Sequence, residues 1–136
     1  MSLSGGRPER VAVLSQDEAY SAGLREWFRA HDPELAVVLE STRWGDLLQA
    51  ADFPPELVLL DAATSGRSSV ASRVRTVRAS GAAVIVLSRA DEEDAAAAQL
   101  ALSSGAFSVL PKSVPLGLIG EVARAAVGLG VVTAED

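Results

Sequence analysis

Five short aliphatic runs, each followed by a segment of different periodicity, constrain this chain more than any other feature. They are Val11–Leu14, Leu35–Leu39, Leu57–Leu60, Ala83–Leu87 and Phe107–Leu110. They are continuous apolar runs, broken only by Ser108 in the fifth, rather than alternating ones, as strands are when both faces of their sheet are covered. Between them lie stretches with helical spacing. Asp17 to Ala30 places Leu24, Trp27 and Phe28 on one face and ends at His31-Asp32-Pro33. Ser41 or Thr42 can cap a second helix reaching Ala51. A loop over 62–68 leads to a third, with Val70, Val74 and Val77 on its buried side. Asp91 opens a fourth through an acidic first turn, and Pro115 opens a fifth that runs to Val127. Gly81 and Gly105 stand where left-handed caps are needed. Strands joined by helical crossovers form a parallel sheet, so the expected class is α/β, a three-layer sandwich around a five-stranded parallel sheet.

Composition removes several chemistries. The 136 residues, 49% of them hydrophobic, suffice for one domain with its own core. There is no cysteine and one histidine, His31, which excludes disulfide scaffolds, thiolate metal sites, a Cys nucleophile and any two-histidine scheme. A net charge of −6 argues against direct nucleic-acid binding. Arg73, Arg75 and Arg78 therefore read as a solvated helix face. The opening Met1-Ser2-Leu3-Ser4-Gly5-Gly6 lacks the apolar core of a signal peptide, and the aliphatic stretch Ala82–Leu87 is far shorter than the roughly 18 residues of a spanning helix. The expectation is a soluble, cytoplasmic protein without membrane contact. Residues 1–9 read as a leader or cloning scar, 10–129 as the domain, and 130–136 as a tail toward an output domain outside this sequence. No G-x-S-x-G elbow, Walker A or Rossmann fingerprint occurs, and Gly128-Leu129-Gly130 follows a helix rather than a strand. No enzymatic activity is expected.

Parallel α/β sheets place their sites beyond the carboxyl ends of the strands. Those ends carry Ser15 and Gln16, Asp61, Ser88 and Lys112. Lys112 is the sole lysine among twelve basic residues. The sole lysine, a compact point charge, thus falls at the strand ends together with an acid that directly follows an aliphatic run.

Over residues 10–129 the chain resembles a response-regulator receiver domain, the phospho-accepting switch of two-component signalling. The resemblance is carried by Glu56-Leu57-Val58-Leu59-Leu60-Asp61, by Val84-Ile85-Val86-Leu87-Ser88, and by Gly105-Ala106-Phe107-Ser108-Val109-Leu110-Pro111-Lys112. Gly23-Leu24 and the overall spacing are most similar to the NarL/LuxR-type group, whose members carry a C-terminal helix-turn-helix domain. The resemblance implies a flavodoxin-like fold with strand order 2-1-3-4-5. It implies Asp61 as the phospho-accepting residue, Ser88 and Lys112 as phosphate contacts, and a Mg²⁺ site using Asp61 and the Ala63 main chain. It also implies a sensor histidine kinase or another signalling protein as partner, and homodimerisation through the last two helices and the fifth strand. The chemistry is coherent. A carboxylate can attack phosphorus to give an acyl phosphate, and the transferred dianion needs cations and hydrogen-bond donors around it.

The chain also departs from that pattern. The two acids expected after the first strand are Ser15 and Gln16, so Mg²⁺ binding is expected to be weak or lost. A shifted register would offer Asp17 and Glu18 instead. With the acids gone, Asp61 is expected to pair directly with Lys112. Arg89, after the switch position, is a candidate to cover the site. Val109 stands where an aromatic responds to the switch, and the nearby ring, Phe107, is expected to pack inward. The last helix carries two apolar stripes, Leu116/Ile119/Ala123/Ala126 and Leu118/Val122/Ala125/Leu129. One core face needs a single stripe. Ala97, Leu118, Val122, Ala125 and Leu129 are therefore expected to form an interaction face. Three readings follow: an atypical receiver acting as a protein–protein interaction switch with weak or no Asp61 phosphorylation, a conventional Mg²⁺-dependent receiver controlling a DNA-binding domain, and a flavodoxin-like small-molecule-binding domain.

Overall fold

The computed structural model describes residues 7–64, 67–89 and 95–129. Within them the chain runs β1 (Glu9–Leu14), α1 (Glu18–His31), β2 (Leu35–Ser41), α2 (Trp44–Gln49), β3 (Leu57–Asp61), a 3-10 turn (Ala62–Thr64), α3 (Arg67–Ala79), β4 (Ala83–Ser88), α4 (Ala95–Ser103), β5 (Ser108–Pro111) and α5 (Leu116–Ala126). All strand pairs are parallel and their order is β2-β1-β3-β4-β5. This is the flavodoxin-like receiver fold.

Alternate strand residues face opposite layers. Ala12, Leu14, Val58, Leu60, Val84 and Val86 pack under Leu47 of α2, Val74 and Val77 of α3 and Ala101 of α4. Val11, Val13, Leu57, Leu59, Ile85 and Leu87 pack under Leu24 and Phe28 of α1 and Ile119 and Ala123 of α5. Covering on both sides is why the runs of β1, β3 and β4 lack polar alternation, while the edge strands β2 and β5 are only partly buried. Each large side chain so buried contributes about 1.5–3 kcal/mol.

Several boundaries differ from the sequence expectation. β1 begins at Glu9, inside the span read as leader, because Glu9 pairs with Leu35. The second helix starts at Trp44 behind Arg43, and no side chain caps it. Ser41 is instead the last residue of β2, and its carbonyl accepts the Ser15 N–H at 3.0 Å. Pro115 is the N-cap of α5, just outside the helix. Gly81 and Gly105 take φ of +100° and +118°, as their cap positions require. The acidic turn Asp91–Asp94 lies outside the described residues.

Two contacts fix α5 against α1. Trp27 packs edge-on to Phe28 and stacks on His31. Its ring also lies over Gly120, where an added Cβ would sit 2.8 Å from a ring carbon. At the far end of α5 the Arg124 guanidinium is buried and bonds both Asp32 (2.9 Å) and Glu34 (2.6 Å) in the α1–β2 turn. The same residue's carbonyl accepts the Leu129 N–H at 2.8 Å. Gly120→Ala is expected to lower unfolding stability by about 1–3 kcal/mol through overpacking against Trp27. Urea unfolding followed by tryptophan fluorescence measures this, and an unchanged midpoint would show that the ring can move aside.

Candidate functional site

Register places the candidate side chains side by side. Leu14 pairs with Leu60, so the next residues, Ser15 and Asp61, leave their strands together. Asp61 pairs with Leu87 and Ser88 with Pro111, which brings Ser88 and Lys112 to the same edge. The Lys112 N–H donates to the Ser88 carbonyl at 2.9 Å.

Asp61 is 2% exposed, and a carboxylate so buried needs donors. It has three. The Ser15 hydroxyl donates to Oδ2 at 2.7 Å, the Lys112 ammonium approaches the same oxygen at 3.0 Å, and the Ala63 N–H donates to Oδ1 at 3.0 Å. The ion pair expected between Asp61 and Lys112 is therefore present. The turn after Asp61 is braced in its own right. Thr64 Oγ1 donates to the Asp61 carbonyl at 2.7 Å, and Arg73 of α3 reaches the Thr64 carbonyl at 3.4 Å. The Arg73 guanidinium lies over the Trp44 ring at 4.9 Å. Burial pushes its pKa down.

The first turn of α1 completes the site. Ser15 Oγ accepts the Asp17 N–H at 3.1 Å while donating to Asp61, so it links the helix entrance to the carboxylate. Asp17 is the N-cap: its Oδ1 accepts the Tyr20 N–H at 3.0 Å. Its Oδ2 lies 3.7 Å from the Lys112 ammonium. The Tyr20 ring sits under that ammonium at 4.7 Å. The phenol oxygen is buried with no hydrogen-bond partner among the described residues. Burial, with the nearby charges of Asp61 and Asp17, raises its pKa to about 12.

These donors suit an ammonium better than Mg²⁺ beside Asp61 Oδ2. The ion demands a near-octahedral set of oxygens at about 2.0–2.1 Å. Here Asp61 Oδ2 already takes a hydroxyl proton and an ammonium, and a dication beside it would stand against Lys112. The shifted register offers no better set. Asp17 is engaged as a cap, Glu18 is an exposed first helical residue and Gln16 is exposed. No three acidic or imidazole side chains converge among the described residues.

The remaining candidates separate. Ser88 is half-buried at the end of β4, and its hydroxyl makes no hydrogen bond among the described residues. Arg89 is exposed directly after it. Phe107 does not pack inward. It is 49% exposed just before β5, and Val109 is the residue that packs on the core. The two stripes of α5 also resolve differently from expectation. Val122 and Leu129 pack against the core beside Leu116 and Ala126, whereas Leu118 and Ala125 face outward. Ala97 is half-buried on α4. Sequence reasoning misses Ser15 as a donor, the second contact of Asp17, and Tyr20 altogether. That Tyr20 is the only tyrosine, one turn into the helix that leaves β1, is the available signal.

No family model matches the chain, and neither does any curated protein. Solved structures do. The fold is similar to the signal receiver domain of the response regulator NarL from Mycobacterium tuberculosis, with a TM-score of 0.74 and 22% identity over 90% of this chain and 99% of that one. It is similar to a response regulator receiver protein from Burkholderia phymatum, with a TM-score of 0.72 and 23% identity over 92% of this chain and 99% of that one. A third neighbour, the RcsB response regulator of Salmonella typhimurium, gives 0.72 at 14% identity over 95% of this chain but 65% of its own. The architecture is thus that of receiver domains, including one that occupies part of a longer protein.

The single tyrosine gives the site an optical handle. A phenol whose folded pKa is raised above its unfolded value of 10.0 keeps its proton after the unfolded chain has lost it. The stabilisation is fully present below pH 10.0 and is lost as pH rises toward the folded value of about 12. Ultraviolet titration is expected to show phenolate appearing near the upper value, with stability falling across that window. Ionisation at the ordinary value would place Tyr20 in water.

Proposed function

We propose that this domain is an atypical response-regulator receiver, a signalling module that works through protein–protein contacts and takes phosphate on Asp61 weakly or not at all. The observation that carries the reading is the Ser15–Asp61–Lys112 network in the receiver fold. Phosphoryl transfer to Asp61 would form an Oδ–phosphorus bond as the donor's own bond to phosphorus breaks, with the donor leaving on its electron pair. Donors bound to a carboxylate oxygen draw charge from it and lower its nucleophilicity. Here Oδ2 is held by two donors, and Oδ1 by the Ala63 N–H. Lys112 and the Ser88 hydroxyl remain the groups that would contact a phosphoryl oxygen. Any Mg²⁺ binding is weak, and Arg89 stands where it could cover the site. The partner is a sensor histidine kinase or another signalling protein, and the domain itself does not bind nucleic acid.

A second contact surface accompanies the site. Leu100 and Leu102 of α4, Phe107 before β5 and Leu118 of α5 are all between 39% and 49% exposed. Exposed apolar side chains on neighbouring elements mark a contact face, to which α4 gives either Leu100 or Leu102, since residues two apart on a helix do not share one face. It supports self-association through α4, β5 and α5, with Leu118 and Ala125 as the outward residues of the last helix. Leu118→Asp is expected to weaken the dimer at least about tenfold by placing a charge in an apolar contact, as read by sedimentation velocity over a concentration series.

The deciding experiment is intact-mass analysis after incubation with a small-molecule phosphodonor, with and without Mg²⁺, on the wild type, Asp61→Asn and the double variant Ser15→Asp/Gln16→Asp. The wild type is expected to show little or no adduct and no response to Mg²⁺. The double variant is expected to gain a metal-dependent adduct. A stoichiometric, metal-dependent adduct on the wild type that Asp61→Asn abolishes would establish a conventional receiver.

A further inference from the structure

The ammonium of Lys112 is enclosed on three sides, and only one of them is Asp61. Asp61 Oδ2 lies at 3.0 Å, Asp17 Oδ2 at 3.7 Å and the Tyr20 ring centre at 4.7 Å. Two carboxylates and an aromatic face form a cage for an ammonium, the same combination that recognises cationic ligands elsewhere. Two of the walls come from one turn of helix, since Asp17 caps α1 through the Tyr20 N–H. Ser15, two residues before the cap, holds the third wall in place through its bond to Asp61. From this one segment Asp17 and Tyr20 thus contact Lys112, and Ser15 holds its partner Asp61.

We propose that Tyr20 and Asp17 are positioning residues that hold the Lys112 ammonium against Asp61, so that the site's resident cation is the protein's own side chain. This deepens the function proposed above and rests on its assignment of Asp61 and Lys112 as the working pair. Tyr20 acts through its ring rather than its hydroxyl. The phenol oxygen has no partner among the described residues, so the hydroxyl contributes no bond to the arrangement, while the ring face meets the ammonium. Asp17 acts as a second, more exposed carboxylate that keeps the ammonium at the mouth of the site when Asp61 is engaged elsewhere. An incoming anionic group has to draw Lys112 out of this cage before the lysine can serve it.

Because Lys112 is the only lysine, one selectively ¹⁵N-lysine-labelled sample reports on it alone. The Lys112 ammonium protons in the wild type are expected to resonate upfield of a free lysine ammonium, from the Tyr20 ring current, and to exchange slowly with water. Tyr20→Phe keeps both properties. Tyr20→Leu removes the upfield shift and speeds exchange about fivefold, as loss of a partly desolvated cation–π contact implies. Asp17→Asn leaves the ring-current shift in place and speeds exchange by a smaller factor. An ammonium signal unchanged by Tyr20→Leu would overturn the proposal, as would a wild-type signal already at the free-lysine position. Should Tyr20→Leu fail to fold, the wild-type signal together with Tyr20→Phe and Asp17→Asn still decides. The readout lies on Lys112 and does not involve phosphoryl uptake, so a conventional result in the mass experiment and a lost cage remain distinguishable.

Discussion

A carboxylate taken out of water at the end of a central strand imposes demands on everything near it. Asp61 is almost fully buried, and an ionised group in that position survives only with donors at hydrogen-bond distance. Three meet the demand, from three separate parts of the chain: a hydroxyl leaving β1, an ammonium leaving β5, and the backbone of its own turn. The first two depend on the parallel register that brings β1, β3, β4 and β5 to a common edge, and the third is local. The sheet is thereby tied to the site, since a slip of one residue in any of those strands would strand a charge.

The network also gives the site its character through a neutral residue at position 15. An acid at position 15 would add negative charge beside Asp61 and call for a metal. Serine supplies a proton donor instead, and its oxygen still accepts the Asp17 N–H, so the helix entrance stays joined to the carboxylate. The brace on the opposite side, from Thr64 through Arg73 to Trp44, holds the turn that presents the Ala63 N–H. The order around Asp61 is built from neutral donors and a single lysine.

The central runs are legible in the sequence because β1, β3 and β4, buried on both faces, leave an unbroken apolar signature, and the strand ends follow from them. Asp61 and Lys112 can be placed at the same edge from the residues, and their pairing follows from the resemblance and the neutral Ser15 and Gln16. Side-chain contacts across elements are not legible in this way. Nothing in the local pattern says that Tyr20 lies beneath Lys112, since the contact depends on how α1 crosses the sheet. Helix boundaries fail where tertiary pairing overrides local preference. Ser41 looks like a cap, yet it continues β2 because its carbonyl has a partner in Ser15. Phe107 misleads because a ring beside a strand suggests a core position, whereas Val109 already fills that place in the alternation. The two apolar stripes of α5 are real, but Val122 and Leu129 serve the core through the rim of its contact with the sheet.

The Arg124 contacts give the end of α5 a mechanical character. Its guanidinium grips Asp32 and Glu34, and its carbonyl holds the chain at Leu129. The last turn is therefore bolted to the segment that feeds the edge strand β2. Any displacement of the end of α5 would therefore pull first on the turn that carries Asp32 and Glu34, next to where β2 begins.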